Sequence, residues 1–180
     1  MNVIQNPIRG KGLKNFHTIC PGNVIDDHSG VIKLLNYCPI AKKTPLDAKP
    51  KLTEALKLKS LAFKDERRRM NIGSFKALGA AYVIAKAAYK KIGNNIKMPG
   101  KASNALNGET FVTASAGNHG LSVAAGAKIF GASAVIYLSE SVPIEFSKKL
   151  KSYGAKVVIE GHDYEAVSYT HLTLPTIYSV

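Results

Sequence analysis

The second half of the chain alternates short apolar runs with segments of helical periodicity. The runs at 109–115, 133–139 and 155–161 are apolar on both faces, as are strands buried inside a parallel sheet. The segments between them, 118–131 and 143–154, repeat apolar residues at helical spacing, and each ends in glycine. This βαβ order predicts an α/β fold in which helices cover both faces of a parallel sheet.

A long helix is predicted before the first of these strands. The stretch "SFKALGAAYVIAKAAYKK", from Ser74 to about Lys91, has helical spacing, with Ser74 as its cap and Gly93 as its stop. One side of this helix collects Phe75, Leu78, Tyr82, Ala85 and Tyr89. The stretch "LKSLAFKDE" (58–66) alternates as a short strand does, and the polar residues 94–108 predict a loop.

The two ends of the chain differ from this regular region, which we assign to residues 57–167. Prolines interrupt any long period in residues 1–56, which are therefore predicted as an irregular approach. The last residues, 168–180, read "SYTHLTLPTIYSV" and do not continue the pattern before them. They resemble translated sequencing-adapter sequence, so we expect a non-native tail; a natural C-terminal strand is the alternative.

Composition and charge bound the class of protein. With 180 residues, 46% of them hydrophobic and 21% charged, the chain has the make-up of a soluble globular domain. Its net charge of +13 invites a nucleic-acid partner, but only four of the 25 basic residues are arginines and the lysines are scattered, which disfavours that partner. No apolar run is long enough for a membrane span, and the start lacks a secretory signal, so a cytoplasmic location is expected.

Metal binding is not expected from the cysteines. Cys20 and Cys38 lie near His17 and His28, but the spacings between these four residues match no usual zinc pattern. Two reduced thiols are the plainer interpretation.

A candidate binding turn follows the strand at 109–115. Ligands of open parallel sheets bind beyond the carboxyl ends of the strands, and "TASAGNHG" (113–120) lies at such an end. The backbone N–H groups that start the next helix have no partner within it and attract anions. Asn118 and His119 add polar side chains there. The alternative is a plain turn capped by Asn118 or Ser115.

Lys76 is the second candidate, because it interrupts the glycine, alanine and leucine of "NIGSFKALGAAY". In the first turn of its helix, the positive end of the helix dipole and apolar neighbours would both lower the pKa of its amine. An amine that is partly neutral can form a Schiff base with a carbonyl cofactor. A helix lysine extending its charge into solvent is the alternative.

These motifs occur together in one known group of enzymes. "KDERRRMNIGSFKALGAAY" (64–82), with "TPL" (44–46) before it and "TASAGNHGLSVAAGAKIFGASAVIYLSESV" after it, resembles the pyridoxal-phosphate enzymes of the tryptophan synthase β type. That superfamily includes threonine dehydratase, cysteine synthase and diaminopropionate ammonia-lyase, and the first phrase is most similar to diaminopropionate ammonia-lyase. The resemblance covers residues 37–167.

The resemblance implies a role for each candidate residue. Lys76 would form the Schiff base with pyridoxal 5'-phosphate, and Asn118 would contact the ring hydroxyl of that cofactor. The residues that would hold the carboxylate of the substrate are Ser115, Ala116, Gly117, Asn118 and His119. The implied reaction is α,β-elimination from a small amino acid such as 2,3-diaminopropionate, which gives a 2-oxo acid and ammonia. Kinship also suggests a homodimer.

One residue departs from the pattern of diaminopropionate ammonia-lyase. That family has aspartate where this chain has Ala116, and the aspartate is associated with removing a proton from one substrate enantiomer. The activity is then limited to the other enantiomer, or the substrate is serine or threonine, because "SAGNH" resembles the turn of threonine dehydratase.

The resemblance also implies that the chain is truncated. The glycine-rich phosphate loop and the residue facing the pyridine nitrogen would lie beyond its end, so we expect the 180-residue chain alone neither to bind the cofactor tightly nor to turn over. A noncatalytic nucleotide-binding α/β domain is the alternative from another class, although no G-x-G-x-x-G follows any predicted strand.

Overall fold

The computed structural model describes residues 28–38, 40–93 and 102–167. Its helices are α1 (Ser29–Asn36), α2 (Pro50–Ala55), α3 (Lys76–Ile92), α4 (Asn118–Ile129) and α5 (Ile144–Ser152). Its strands are β1 (Leu46–Ala48), β2 (Ala62–Lys64), β3 (Thr110–Ala114), β4 (Ser133–Leu138) and β5 (Lys156–Ile159). A short 3-10 turn, Arg69–Asn71, lies between β2 and α3.

The predicted parallel sheet is confirmed. β3, β4 and β5 lie side by side in that order, with Val112 opposite Val135 and Ile136 opposite Val157. α4 and α5 make the two crossover connections, as parallel strands require. The glycines that follow these helices, Gly131 and Gly154, have positive φ angles of 77° and 85°, which agrees with their predicted role as helix stops.

The core lies around α4, which packs against this sheet and against α3, with α5 beside it. Ile84, Leu121, Ile136 and Leu150 are at most 1% exposed. α4 is buried over most of its circumference, and small residues make this possible: a Cβ on Gly126 would lie 3.0 Å from Cδ1 of Ile84 on α3. The two helices therefore pack in close contact.

The prediction for α3 was right in its extent, but the helix does not bury the side that collects its larger apolar residues. The helix begins at Lys76, Ser74 lies two residues earlier, and Gly93 ends it with a φ of 69°. Its buried residues are Ala77, Ala80, Ile84 and Ala88, whereas Phe75, on the predicted side, is 62% exposed. Small side chains face α4 because the close approach of the two helices leaves no room for aromatic rings.

A mostly apolar cavity of about 300 Å³ lies between α1, α3 and α4, and its walls include Tyr82, Ala85 and Tyr89. The rings of Tyr37 and Tyr89 stack there with centroids 6.0 Å apart. Burial raises the pKa of Tyr89, and the neighbouring Tyr37 and Cys38 act in the same direction. Cys38 is a free thiol, while Cys20 lies outside the described residues.

The segment before α3 contains more structure than the sequence predicted. Within residues 1–56, the described part holds α1, β1 and α2. The strand predicted at 58–66 is only three residues long, as β2, and pairs antiparallel with β1. Elements of three to eight residues are too short to show a period. Residues 94–101 and 168–180 lie outside the described ranges, so the nature of the tail and the division of the chain into domains stay predictions.

Across the described ranges, no helix is both long and apolar enough to cross a lipid bilayer.

Candidate active site

Lys76 is the first residue of α3, and the end of the preceding loop shapes the turn on which it lies. The Ser74 hydroxyl accepts a hydrogen bond from the Lys76 backbone N–H at 3.2 Å, so Ser74 does support the helix start. The Lys76 side chain is exposed, and its Nζ lies 5.5 Å from the centroid of the Phe75 ring. The expectation of apolar surroundings is thus met on one side only.

The turn after β3 is organised by Ser115. Its Oγ accepts hydrogen bonds from the backbone N–H of Gly120 at 3.0 Å and of Gly117 at 3.4 Å. Gly120 is the third residue of α4, so Ser115 satisfies one of the N–H groups that the helix itself leaves without a partner. This is the capping function that the sequence assigned to either Ser115 or Asn118.

Two glycines of the turn serve different purposes. A Cβ on Gly120 would lie 2.8 Å from the Ser115 carbonyl oxygen, so only glycine fits this close approach of helix and strand. A Cβ on Gly117 would meet nothing within 4 Å, and its backbone is extended, with a φ of −146°. Gly117 therefore leaves open space beside the backbone of the turn.

A cavity of about 580 Å³ brings Lys76 and the turn together. Its lining residues are Ser74, Phe75, Lys76, Ala114, Ser115, Ala116, Gly117, Asn118, His119 and Tyr164. All the site residues named from the sequence are in this set. The described residues of the lining carry one lysine ammonium and no carboxylate, so the cavity favours an anionic ligand.

Three lining residues were not predicted from the sequence: Ser74 and Phe75, as part of the cavity wall, and Tyr164. Tyr164 follows β5 and is 55% exposed. The rule that ligands bind beyond the carboxyl ends of parallel strands could have identified it, because β5 is the third strand to end at this edge.

The loop between β2 and α3 is held by a partly buried ion pair. Arg69 donates from Nε to Glu66 Oε2 at 2.6 Å and from Nη2 to Glu66 Oε1 at 2.8 Å. Arg69, followed by the Thr44 hydroxyl, lowers the pKa of Glu66 to about 2. Beside it, Arg67 lowers the pKa of Asp65 to about 2 through a second, more exposed pair.

Metal ligands are not grouped in the described part of the chain, where no three His, Cys, Asp or Glu side chains come together.

Comparison with known proteins agrees with the geometry. Residues 38–172 match the family described as "Pyridoxal-phosphate dependent enzyme". Diaminopropionate ammonia-lyase of Escherichia coli strain K12 is 32% identical over 136 residues, which are 74% of this chain and 33% of that protein. The catabolic L-threonine dehydratase of Staphylococcus aureus strain N315 is 30% identical over 152 residues, covering 84% of this chain and 38% of that protein.

A solved structure shares the fold. The crystal structure of holo diaminopropionate ammonia-lyase from Escherichia coli superposes with a TM-score of 0.71 at 28% identity, covering 79% of this chain and 37% of that one. The chain thus spans about a third of the length of the relatives it matches. The family match also runs five residues into the segment predicted as a non-native tail, as far as residue 172.

The cavity suits pyridoxal phosphate, which is an aldehyde carrying a ring hydroxyl and a phosphate. Lys76 offers an amine, the first turn of α4 offers N–H groups, and Gly117 leaves its backbone open to close approach. The chain belongs to the family of pyridoxal-phosphate-dependent enzymes, of the tryptophan synthase β type, and pyridoxal 5'-phosphate is the cofactor of that family.

Proposed function

We propose that this chain is part of a lyase in which Lys76 holds the cofactor and a small amino acid undergoes α,β-elimination. The substrate is 2,3-diaminopropionate or a close analogue, and the products are a 2-oxo acid and ammonia. The observation that carries the proposal is the cavity that places Lys76 beside the turn from Ser115 to His119. The similarity to an ammonia-lyase and to a dehydratase supports the class of reaction.

Lys76 has two tasks in this proposal. Its amine would hold the cofactor and, once freed by the substrate amine, would serve as a base beside the substrate Cα. When bound, pyridoxal phosphate would withdraw electrons from Cα and make its proton acidic. Lys76 would then accept that proton at Nζ, the β-substituent would leave with the electron pair, and water would hydrolyse the resulting enamine to the 2-oxo acid and ammonia.

The turn after β3 orients the substrate. The backbone N–H groups at the start of α4, which begins at Asn118, bind the substrate carboxylate. Ser115 keeps the turn in shape through its bonds to Gly117 and Gly120. The Asn118 side chain is exposed in the cavity and binds the ring hydroxyl of the cofactor. Fixing the substrate at its carboxylate aligns Cα with Lys76.

A serine or threonine dehydratase is the second candidate, and Ala116 favours it. Ala116 lines the cavity and is exposed, and a methyl group there supplies no second base. The similarity to an L-threonine dehydratase covers 84% of the chain. Assaying a longer protein that contains this chain with 2,3-diaminopropionate, serine and threonine, and measuring the 2-oxo acid formed, separates the two candidates. We also propose that this longer protein is a homodimer.

Reductive trapping tests the role of Lys76 in the chain itself. After incubation with pyridoxal phosphate and cyanoborohydride, peptide mass spectrometry should find about tenfold more label on Lys76 than on Lys86. Lys86 is a matched reference, because it is exposed on the same helix and its Nζ lies 5.8 Å from the ring of Tyr82.

Equal labelling of these two lysines would refute the assignment of Lys76. In the longer protein, Lys76→Ala should abolish 2-oxo acid formation, and a parental rate would refute it as well. In the 180-residue chain, the label on Lys76 should remain well below one per molecule. Stoichiometric labelling of Lys76 would contradict the expected weak binding of the cofactor.

A further inference from the structure

The loop that leads into Lys76 has an unfavourable backbone. Met70, Asn71 and Gly73 have positive φ angles of 47°, 58° and 76°. This left-handed region is uncommon for residues with a side chain, and such conformations persist only where surrounding contacts impose them. Gly73 has a second constraint, since a Cβ there would lie 3.0 Å from the Arg67 carbonyl oxygen. Something outside the loop backbone must hold this shape.

The ion pair between Glu66 and Arg69 provides that hold. Besides its two bonds to Glu66, Arg69 donates from Nη1 to the Lys42 carbonyl at 2.9 Å and from Nη2 to the Thr44 hydroxyl at 2.7 Å. The Thr44 hydroxyl in turn donates to Glu66 Oε1 at 2.5 Å. The two charged side chains are only 11% and 16% exposed. The pair thus fastens the loop to the segment that contains Thr44.

A continuous series of contacts joins this ion pair to Lys76. The Arg69 carbonyl accepts hydrogen bonds from the backbone N–H of Ile72 and of Gly73, both at 3.0 Å. Ser74 follows directly, and its hydroxyl accepts the bond from the Lys76 N–H. Fixing the Arg69 side chain therefore fixes the turn on which α3 begins.

Lys76 depends on this backbone placement, because its own side chain is little restrained. Among the residues that the structure describes, its Nζ makes no hydrogen bond or ion pair, and its recorded contact is with the Phe75 ring. Where the amine can reach is consequently set by the position of its Cα.

We propose that Glu66, Arg69 and Thr44 are positioning residues for Lys76. Their network holds the loop from Asp65 to Ser74, with its three left-handed residues, and so presents the lysine to the turn after β3. The inference rests on the proposed function, in which Lys76 holds the cofactor.

The neighbouring pair of Asp65 and Arg67 is a matched control. Arg67 also forms two parallel bonds with its carboxylate partner, at 2.9 and 2.7 Å, in the same loop. Its side chain is 88% exposed, however, and both partners belong to the loop itself. This pair has the same chemistry without the link to Thr44.

The experiment compares Glu66→Gln and Arg69→Lys with Asp65→Asn and Arg67→Lys in the 180-residue chain. The first two should speed hydrogen exchange at the amides of Ile72 and Gly73 by about tenfold or more, with the amides of β4 unchanged as a reference for global stability. They should also bring the labelling ratio of Lys76 to Lys86 towards one. The two control variants should keep parental exchange and labelling.

Parental exchange at Ile72 and Gly73 in both test variants would overturn the inference, as would a parental labelling ratio or an equal response of the controls. If the test variants fail to fold, Thr44→Val, which removes one hydroxyl, is judged by the same measurements.

These measurements distinguish a failure of the proposed function from a failure of the positioning role. If parental Lys76 labels no more than Lys86 while exchange responds as expected, the cofactor role of Lys76 fails and the hold on the loop stands. If parental Lys76 labels selectively and Glu66→Gln changes nothing, the positioning role alone fails.

Discussion

The parallel sheet with α4 and α5 and the segment from Thr44 to Ser74 keep their shapes by different means. In the sheet region, order comes from apolar side chains such as Ile136 and Leu150, both 0% exposed. In the other segment, β1 and β2 are exposed at every residue, and order comes from the hydrogen bonds of Glu66 and Arg69. The candidate site has the turn after β3 as one wall and the start of α3, into which the second segment leads, as the other, so its two halves should respond differently to substitution and to pH.

The largest effect is expected in the sheet. Ile136→Ala removes a fully buried side chain from the central strand β4 and should lower the free energy of unfolding by about 2–5 kcal/mol, measured by urea denaturation. Ile144→Ala, at the start of α5 where the side chain is 53% exposed, should change it by less than about 0.5 kcal/mol. Similar losses in both variants would contradict the contrast between buried and exposed positions.

A smaller effect is expected at the turn of the sheet region. Gly120→Ala introduces a Cβ 2.8 Å from the Ser115 carbonyl oxygen and should cost about 1–3 kcal/mol. Gly117→Ala has open space around its new Cβ and loses only the preference for glycine over alanine at a helix N-cap, so it should cost less than about 1 kcal/mol. Thermal unfolding of the two variants measures the difference. A larger loss of stability in Gly117→Ala than in Gly120→Ala would contradict the packing of the turn described above.

The polar segment should show itself in the dependence of stability on pH. The folded pKa of Glu66, about 2, is below its ordinary value of 4.5, so its stabilisation is complete above pH 4.5 and is lost as the pH falls towards 2. Glu66→Gln removes this contribution. When the free energy of unfolding is measured over that pH range, the variant should therefore lose less of it than the parental chain.

Measuring this dependence of stability on pH at low and at high salt distinguishes the contributions of the two ion pairs of the loop. Adding salt should weaken the contribution of the exposed pair of Asp65 and Arg67 more than that of the partly buried pair, because exposed charges are screened more strongly. Equal screening of both pairs would show that Glu66 is as accessible to solvent as Asp65.

The smallest effect is expected on the exposed strands. Leu46 in β1 is 67% exposed, and Leu46→Thr should change the free energy of unfolding by less than about 0.5 kcal/mol in a thermal melt. A loss as large as that of Ile136→Ala would mean that β1 contributes to an apolar core after all.

What the sequence could predict follows the same division. The elements of the sheet region were predicted to within about two residues, because buried strands and amphipathic helices have distinct periods. The turn after β3 was predicted as a ligand site from the geometry of strand ends, and its meeting with Lys76 was implied by the family resemblance. Tyr164 was missed because the rule was applied only to the first strand.

Other features carry no periodic signal. The contact of Thr44 with Glu66 joins residues 22 positions apart, and a hydropathy pattern does not reveal such polar pairs. The buried face of α3 does not follow from its apolar spacing, because packing against α4 selects small side chains, such as Ala80 and Ala88, over larger and more hydrophobic ones. Close approach of two helices is a property of the pair, which neither helix reveals alone.

The glycine of α4 that lies against Ile84 has a consequence for ligand capture. Because α3 and α4 pack in close contact at Gly126, we expect the cleft between their first turns to change little in width when a ligand binds. An incoming molecule then loses its own freedom of motion but needs little ordering of the protein, and such preorganisation strengthens binding without adding a single contact.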